Sequence, residues 1–165
     1  MRKTGTHFLV LGLTLYFSFA SFASDKSPEC IIKGKPAGID NHQVLVWKRT
    51  TKNQFQARAY IRGIVTRAFG KKGDHDHFEI QLDQHKDDTI EVIYNNHFGA
   101  LPKLKTGQNV EACGDYITSY AKAGGYPASP SKAIIHWVHK NTRGGTHENG
   151  FVMIEGSLYG FPNHD

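Results

Sequence analysis

The sequence has 165 residues, 39% hydrophobic and 21% charged, which suffices for the core of one ordinary domain and is too apolar for a disordered chain. The formal net charge of +5 is compatible with an anionic partner but does not identify one. Seventeen glycines and 12% aromatic residues favour a β-rich domain over a helical bundle, and the lack of internal repeats or heptads excludes solenoids and coiled coils.

The first 23 residues have the pattern of a secretory signal peptide. Arg2 and Lys3 precede the uncharged stretch 8–22, and Ser21 and Ala23 place small residues three positions and one position before a cleavage site. The alternative is a membrane anchor, which needs about 20 apolar residues. We expect cleavage after Ala23 and a bacterial protein that is periplasmic or secreted. Cleavage leaves 18 of the 20 basic side chains against 15 acidic ones, so the mature chain is only weakly basic.

Two cysteines, Cys30 and Cys113, remain after cleavage. In an oxidising compartment an even pair predicts one disulfide, which would hold the N-terminal segment on the domain. Closing so long a loop is worth about 4 kcal/mol in the chain-entropy model. The alternative is metal ligation, but two isolated cysteines so far apart do not have the spacing of a zinc site.

Residues 24–55 form a lead-in, extended over 25–42 and then a short amphipathic helix near 44–55. Alternating apolar residues predict strands over 57–65, 78–83, 90–94, 110–114, 133–138 and 151–154, and Gly63 allows the first of them to bend. The segment 116–130 is predicted to be a loop. We therefore expect residues 56–160 to form an all-β domain, a small OB-like closed barrel of five or six antiparallel strands with one or two short helices, before a tail at 161–165. An open β-sandwich is the alternative.

The densest polar group runs from His136-Trp137-Val138-His139 through a glycine-rich connection to His147 and Glu148. Imidazoles suit either metal ligation or proton transfer, and the alternative is that they only fix the shape of the loop. A zinc site would use His77, His136, His139 and His147. Because His136 and His139 would point to opposite faces of a strand, it requires a bend after Val138. In a phosphodiesterase or nuclease, His136 or His147 would be the general base, Arg143 would stabilise the phosphorane and Glu148 would orient a histidine.

Residues 136–150, preceded by the glycine-containing strand 60–65 and the turns at Leu101-Pro102 and Thr106-Gly107, resemble a bacterial family of small domains of unknown function. Its members show an HWxH block, an RG step and an HExG-like step before a closing apolar strand. The resemblance covers about residues 56–159 and implies an OB-like fold without an established activity. It draws attention to His77, Asn96, His136, Trp137, His139, Arg143 and His147. The chain departs from the family at Lys140 and Thr142, where members carry histidine and proline.

Two shorter polar motifs precede this region. The alternating run Asp74-His75-Asp76-His77 would capture a divalent cation on a hairpin or would be a solvated turn. The run Asn95-Asn96-His97 predicts a tight turn, and the alternative is that the Asn96 amide lies beside the histidine loop and binds an imidazole or a ligand oxygen.

Aromatic and cationic residues are interspersed in the last third of the chain. Stacking platforms beside cations are what a single-stranded nucleic acid requires, and OB barrels bind oligomers on one sheet face and its adjoining loops. The candidate ligand-binding residues are Asn96, Tyr120, Lys122, Tyr126, Lys132, Trp137 and Lys140, together with Arg143. The alternative is that the aromatic residues are buried in the core.

Three functions remain, in order of preference. The first is an exported OB-like protein that binds nucleic acid or another anionic or polar oligomer. The second is a periplasmic phosphodiesterase or nuclease, and the third is an envelope protein that binds a divalent metal such as zinc. The sequence has no GxSxG, P-loop, HExxH or GxGxxG motif to support other common enzyme classes.

Overall fold

A computed structural model describes residues 28–145 and 147–161, so the predicted signal peptide and most of the predicted tail lie outside the described residues. The fold is mainly β, as predicted, with a seven-stranded sheet, a separate two-stranded hairpin and a single α-helix in the described ranges. The elements are β1 (Ile31–Ile32), β2 (Lys35–Pro36), α1 (Asn41–Thr50), β3 (Gln56–Lys72), β4 (His75–Gln81), β5 (Thr89–Asn95), β6 (Asn109–Thr118), β7 (Ala133–His136), β8 (Phe151–Ile154) and β9 (Ser157–Tyr159), with a 3-10 turn at Asn96–Phe98. No helix in those ranges has the length and apolar character needed to cross a bilayer.

The strand pairings begin and end at β3. It pairs with β4, β4 with β5, β5 with β7, β7 with β6, and β6 with β3 again, while β8 and β9 extend the sheet from β6. All of these pairs are antiparallel except β5–β7, which is parallel. All six predicted strands are present, and β9 follows the predicted turn at Glu155-Gly156.

The long strand β3 is shared between two partners. Its first part, up to Ile64, pairs with β6, and the part from Ile64 to Lys72 pairs with β4. Gly63 lies at the changeover, where a β-carbon would clash with the carbonyl oxygen of Gln81. Register shifts follow directly, between Val65 and Arg67 and again further along the strand. The glycine therefore permits the close crossing at which β3 changes partner.

The helix begins and ends earlier than the sequence predicts. The Asp40 side chain accepts a hydrogen bond from the Gln43 backbone N–H at 2.9 Å and caps the first turn, and the backbone is extended again at Thr51. Val44 and Leu45 are buried, and Trp47 packs against Tyr116 with ring centroids 5.4 Å apart. The helix thus covers one side of the sheet core.

Several strand ends differ from the prediction. β3 continues to Lys72 instead of ending at residue 65, and β4 begins at His75 instead of residue 78. β6 continues to Thr118, so Tyr116 is a fully buried core residue instead of part of a loop. β7 ends at His136 instead of Val138. The predicted disulfide between Cys30 and Cys113 is confirmed, and it packs in a small buried cluster with Phe151.

Candidate functional site

Six of the ten histidines lie together where β4 begins and β5 and β7 end. Strand register places His75 opposite Asn95, the last residue of β5, and His136 opposite Asp115 on β6. The rings of His75 and His136 have centroids 5.9 Å apart. We call this group the histidine cluster, and its members are His75, His77, His97, His136, His139 and His147.

Strand alternation places the first part of the cluster on the sheet face away from the core. Phe78 is buried in the core, so His77 and its alternate neighbours on β4 point to the other side. There His77 Nδ1 lies 2.7 Å from Glu91 Oε1, and Ser129 Oγ donates to Glu91 Oε2 at 2.6 Å. Burial would raise the pKa of Glu91, but the hydrogen bonds from His77 and Ser129 outweigh it and hold that pKa below the usual range. Glu91 is therefore a carboxylate, and His77 Nδ1 is the donor.

Three members of the cluster are neutral at pH 7. Burial, reinforced by His75 and His139, lowers the pKa of His136 to about 4. Burial and the neighbouring His77 lower the pKa of His75, and burial, together with His147, lowers that of His139. Among the described residues, no hydrogen-bond partner approaches the ring nitrogens of His75 or His136. Neutral rings with free nitrogens can accept protons or bind a metal ion.

The chain bends at Trp137, just before the position after Val138 at which a zinc site would need a bend. Its φ of 56° lies in the left-handed region, which a bulky residue adopts only when its surroundings impose it. The chain there crosses Gly114 of β6, where a β-carbon would clash with the carbonyl oxygen of His136. The Trp137 indole Nε1 is buried without a hydrogen-bond partner within the described ranges, and so are both amide atoms of Asn96.

His139 is packed between two aromatic rings. It stacks on Phe98 with centroids 3.8 Å apart and lies 4.9 Å from Trp137. His139 Nδ1 lies 2.9 Å from the Lys140 carbonyl oxygen, so it donates, and Nε2 of the neutral ring is left as an acceptor. A cavity of about 390 Å³ adjoins this ring, lined by Asn95, His97, Phe98, Trp137, His139, Thr142 and Arg143.

His147 has both ring nitrogens engaged. Nδ1 lies 2.9 Å from the Glu148 carbonyl oxygen and Nε2 lies 2.8 Å from Asp115 Oδ2. Asp115 also binds Arg58 Nη1 at 3.0 Å, and Arg58 donates to the Asn149 carbonyl. This ion-paired chain anchors the connection 137–150 to the sheet. In this geometry His147 fixes the loop and has no nitrogen free for a proton or a metal.

Glu148 and Asn141 also hold the loop. The Glu148 carboxylate accepts a hydrogen bond from the Gly34 backbone N–H at 3.2 Å. The carboxylate that contacts His147 is that of Asp115, whereas the sequence had suggested that Glu148 would orient a histidine. Asn141 Nδ2 donates to the carbonyl oxygens of Gly144 and His147. These contacts favour loop fixing for the C-terminal half of the motif.

The predicted ligand-binding residues divide into two groups. Asn96, Trp137, Lys140 and Arg143 lie at the histidine cluster, whereas Tyr120, Lys122, Tyr126 and Lys132 lie in segment 119–132, which we call the aromatic loop. Strand register separates the two groups. The aromatic loop joins β6 to β7 at the Thr118–Ala133 pair, and the connection 137–150 leaves from the opposite end.

The aromatic loop rests on the same outer face as His77. Ser129 Oγ reaches Glu91, and Ser131 Oγ donates to Glu79 Oε2 at 2.7 Å. Tyr126 is 78% exposed and Tyr120 is 51% exposed. The two groups therefore lie at two edges of one face.

The run Asp74 to His77 is divided among different contacts. His97 Nε2 lies 3.4 Å from the Asp74 carboxylate, both side chains being mostly exposed, while His77 binds Glu91. Within residues 28–145 and 147–161, no three histidine, cysteine or acidic side chains are already gathered around a point that would hold a metal ion.

Glu91, Asp115 and Phe98 belong to this region but were not among the residues predicted from the sequence. A carboxylate between Ile90 and Val92, inside an apolar strand, is the signal that marks Glu91; the other two depend on register and loop packing. No protein-family model matches the chain, and no curated protein matches it either. The resemblance to the HWxH family stays a prediction.

Proposed function

We propose that this chain is an exported OB-like domain that binds single-stranded nucleic acid across the outer face of β4, β5 and β7, between the aromatic loop and the histidine cluster. The ring of pairings through β3, β4, β5, β7 and β6, with β5–β7 parallel, supports a closed five-stranded barrel of this kind. In such barrels the ligand lies on the face formed by the second and third strands, here β4 and β5. The disulfide supports export to an oxidising compartment.

The observation that carries the proposal is the presentation of two tyrosines on an anchored loop. Tyr126 is in a tight turn, bridged to Ala123 across two glycines with positive φ. Asn53 binds Ala121 through both atoms of its side-chain amide, and its backbone N–H donates to the Tyr120 hydroxyl at 3.0 Å. Fixed, exposed rings can stack on bases with little ordering cost.

Cations flank both edges of the face. Lys122 and Lys132 are exposed on the aromatic loop, and Arg143 is exposed beside the cavity at the histidine cluster. His75, His136 and His139 are neutral, so the backbone phosphates would pair with the cations at the two edges while the bases cross the sheet between them. A guanidinium next to an aromatic cavity suits a phosphate with its adjoining base.

A titration of labelled oligonucleotide by fluorescence anisotropy, repeated across salt concentrations, tests the proposal. Affinity should fall with salt, and Lys122→Ala or Lys132→Ala should each reduce the slope by about 0.7. Tyr126→Ala should weaken binding by about 1–3 kcal/mol. Lys105→Ala, an exposed lysine next to the turn before β6, is the matched control and should change neither. Binding that is absent, or insensitive to salt, contradicts the proposal; binding of another polyanion in place of DNA and RNA would change the ligand class.

A second candidate, phosphodiester hydrolysis, is favoured by one observation. His139 and Arg143 line the same cavity, Nδ1 of His139 is held by the Lys140 carbonyl oxygen, and the stacked Phe98 fixes the ring. His139, not His147, would then be the general base. Incubation of purified protein with DNA and RNA, with and without chelator, should show cleavage that His139→Ala abolishes and His42→Ala does not. No cleavage under either condition removes this candidate.

A further inference from the structure

His75 and His136 lie at a separation that suits a shared ion. Their ring centroids are 5.9 Å apart, and neither ring has a hydrogen-bond partner among the described residues. Two imidazoles bound to one Zn²⁺ through bonds of about 2.0–2.1 Å have ring centres about 5–6 Å apart. The two rings come from β4 and β7, which both pair with β5, so the backbone of the sheet holds them at this separation.

His77 supplies a third nitrogen on the same face. It lies two residues after His75 on β4, so both side chains point to the same side of the sheet. Its Nδ1 donates to Glu91, so Nε2 is the nitrogen left to bind a metal ion, and the side chain is only 12% exposed. A carboxylate that binds the far nitrogen of a histidine is the usual support of a metal-bound imidazole.

We propose that His75, His77 and His136 bind one divalent transition-metal ion, Zn²⁺ or Cu²⁺, with Glu91 as the residue that positions His77. The three donors do not yet converge on one point in the described structure. Binding therefore requires the side chain of His75, at the start of β4 beside the exposed Gly73–Asp74 turn, to rotate toward the other two. An all-nitrogen ligand set selects these ions over Mg²⁺ and Ca²⁺. Metal binding by these three imidazoles requires no oligonucleotide, so the site goes beyond the proposed function.

Isothermal titration of tag-free protein, stripped of metal by chelation, with Zn²⁺ and separately with Cu²⁺ tests the site. We expect one ion per chain, with affinity at least tenfold lower in His75→Ala and in His136→Ala. Glu91→Gln should weaken binding about tenfold to a hundredfold. His85→Ala, which changes an exposed histidine in the β4–β5 turn, is the matched control and should bind as wild type does.

Electron paramagnetic resonance of the Cu²⁺ complex gives a readout that a structural role would not change. It should show several equivalent nitrogen couplings, reduced by one in His75→Ala. If His136→Ala does not fold by near-UV circular dichroism, the partly exposed position 75 decides. The proposal is overturned if wild type binds neither ion saturably, or if the His75→Ala variant keeps full affinity and an unchanged spectrum.

Discussion

Replacing both disulfide cysteines by alanine removes the cross-link while keeping an apolar side chain at each position. The bond joins residues separated by 83 positions, and the chain-entropy relation for a loop of this length gives about 4.5 kcal/mol at 25 °C. Domains of this size have a total free energy of unfolding of about 5–15 kcal/mol. The variant Cys30→Ala/Cys113→Ala should therefore stay folded but lose a large fraction of its stability.

Urea unfolding followed by tryptophan fluorescence measures this loss. The free energy of unfolding of the oxidised wild type should exceed that of the reduced wild type and that of the double variant by about 4.5 kcal/mol. Reductant should leave the stability of the double variant unchanged. Cys30→Ala alone keeps the Cys113 sulfur near Arg58 Nη2, 3.6 Å away in the disulfide-bonded protein, and should lose about as much as the double variant. If reduced wild type is within about 1 kcal/mol of the oxidised protein, the cross-link does not act through the unfolded chain as the model requires.

Three further changes test other parts of the structure. Gly63→Ala should lower the free energy of unfolding, measured by urea unfolding, by about 1–3 kcal/mol, because the added β-carbon meets the backbone of Gln81. Gly38→Ala is the control and should have little effect, since the space around Gly38 is open. Burial raises the pKa of Tyr94 from 10.0 to about 12, so the stability that the protonated tyrosine contributes is complete below pH 10 and is lost as the pH rises to 12. The loss amounts to about 3 kcal/mol, and Tyr94→Phe should remove this part of the decrease in the free energy of unfolding at alkaline pH. Asp115→Asn should cost about 2 kcal/mol and broaden the His147 ring signals in NMR spectra, and sharp, unshifted signals would contradict its anchoring role.

The strands with strict alternation were predictable from local sequence. Phe78 and Ile80 on β4, and Ile90, Val92 and Tyr94 on β5, are all fully buried, as a half-buried strand requires. The second half of β3 was not predictable in this way. Most of its residues from 66 to 72 are exposed, and it is held by pairing with β4 through two register shifts, so no apolar period marks it.

The helix and the N-terminal hairpin show what other local signals reveal. Asp40 followed by polar residues marks the start of α1, and this cap is a stronger boundary than the apolar spacing used to predict residues 44–55. Lys33-Gly34 marks the β1–β2 turn, in which both residues have positive φ. At both places the cap or turn residues locate the element more accurately than the spacing of apolar residues does.

The candidate site was predictable in its residue types but not in its partners. The grouping of His77 with His136 follows from the approach of β4 to β7 across β5, which is a property of topology and not of spacing along the chain. The ion pair from Asp115 to His147 joins residues 32 positions apart and depends on the register of β6 and on the path of the connection after Trp137. The histidines themselves are evident in the sequence, but which of them keep a ring nitrogen without a hydrogen-bond partner depends on the pairing of the strands.

The two edges of the outer face can be altered independently, because the aromatic loop joins the Ala133 end of β7 whereas His136, whose ring lies near that of His75 on β4, is at the opposite end. A variant such as Tyr126→Ala removes a ring that is 78% exposed and leaves the histidines in place. His75→Ala removes one imidazole and leaves the loop anchored through Ser129 to Glu91. Two separate sites would be shown if Tyr126→Ala loses oligonucleotide binding but keeps its metal affinity, and if His75→Ala loses metal affinity but keeps oligonucleotide binding. Loss of both properties in either variant would mean that the face unfolds as one unit, and that neither effect reports a direct contact.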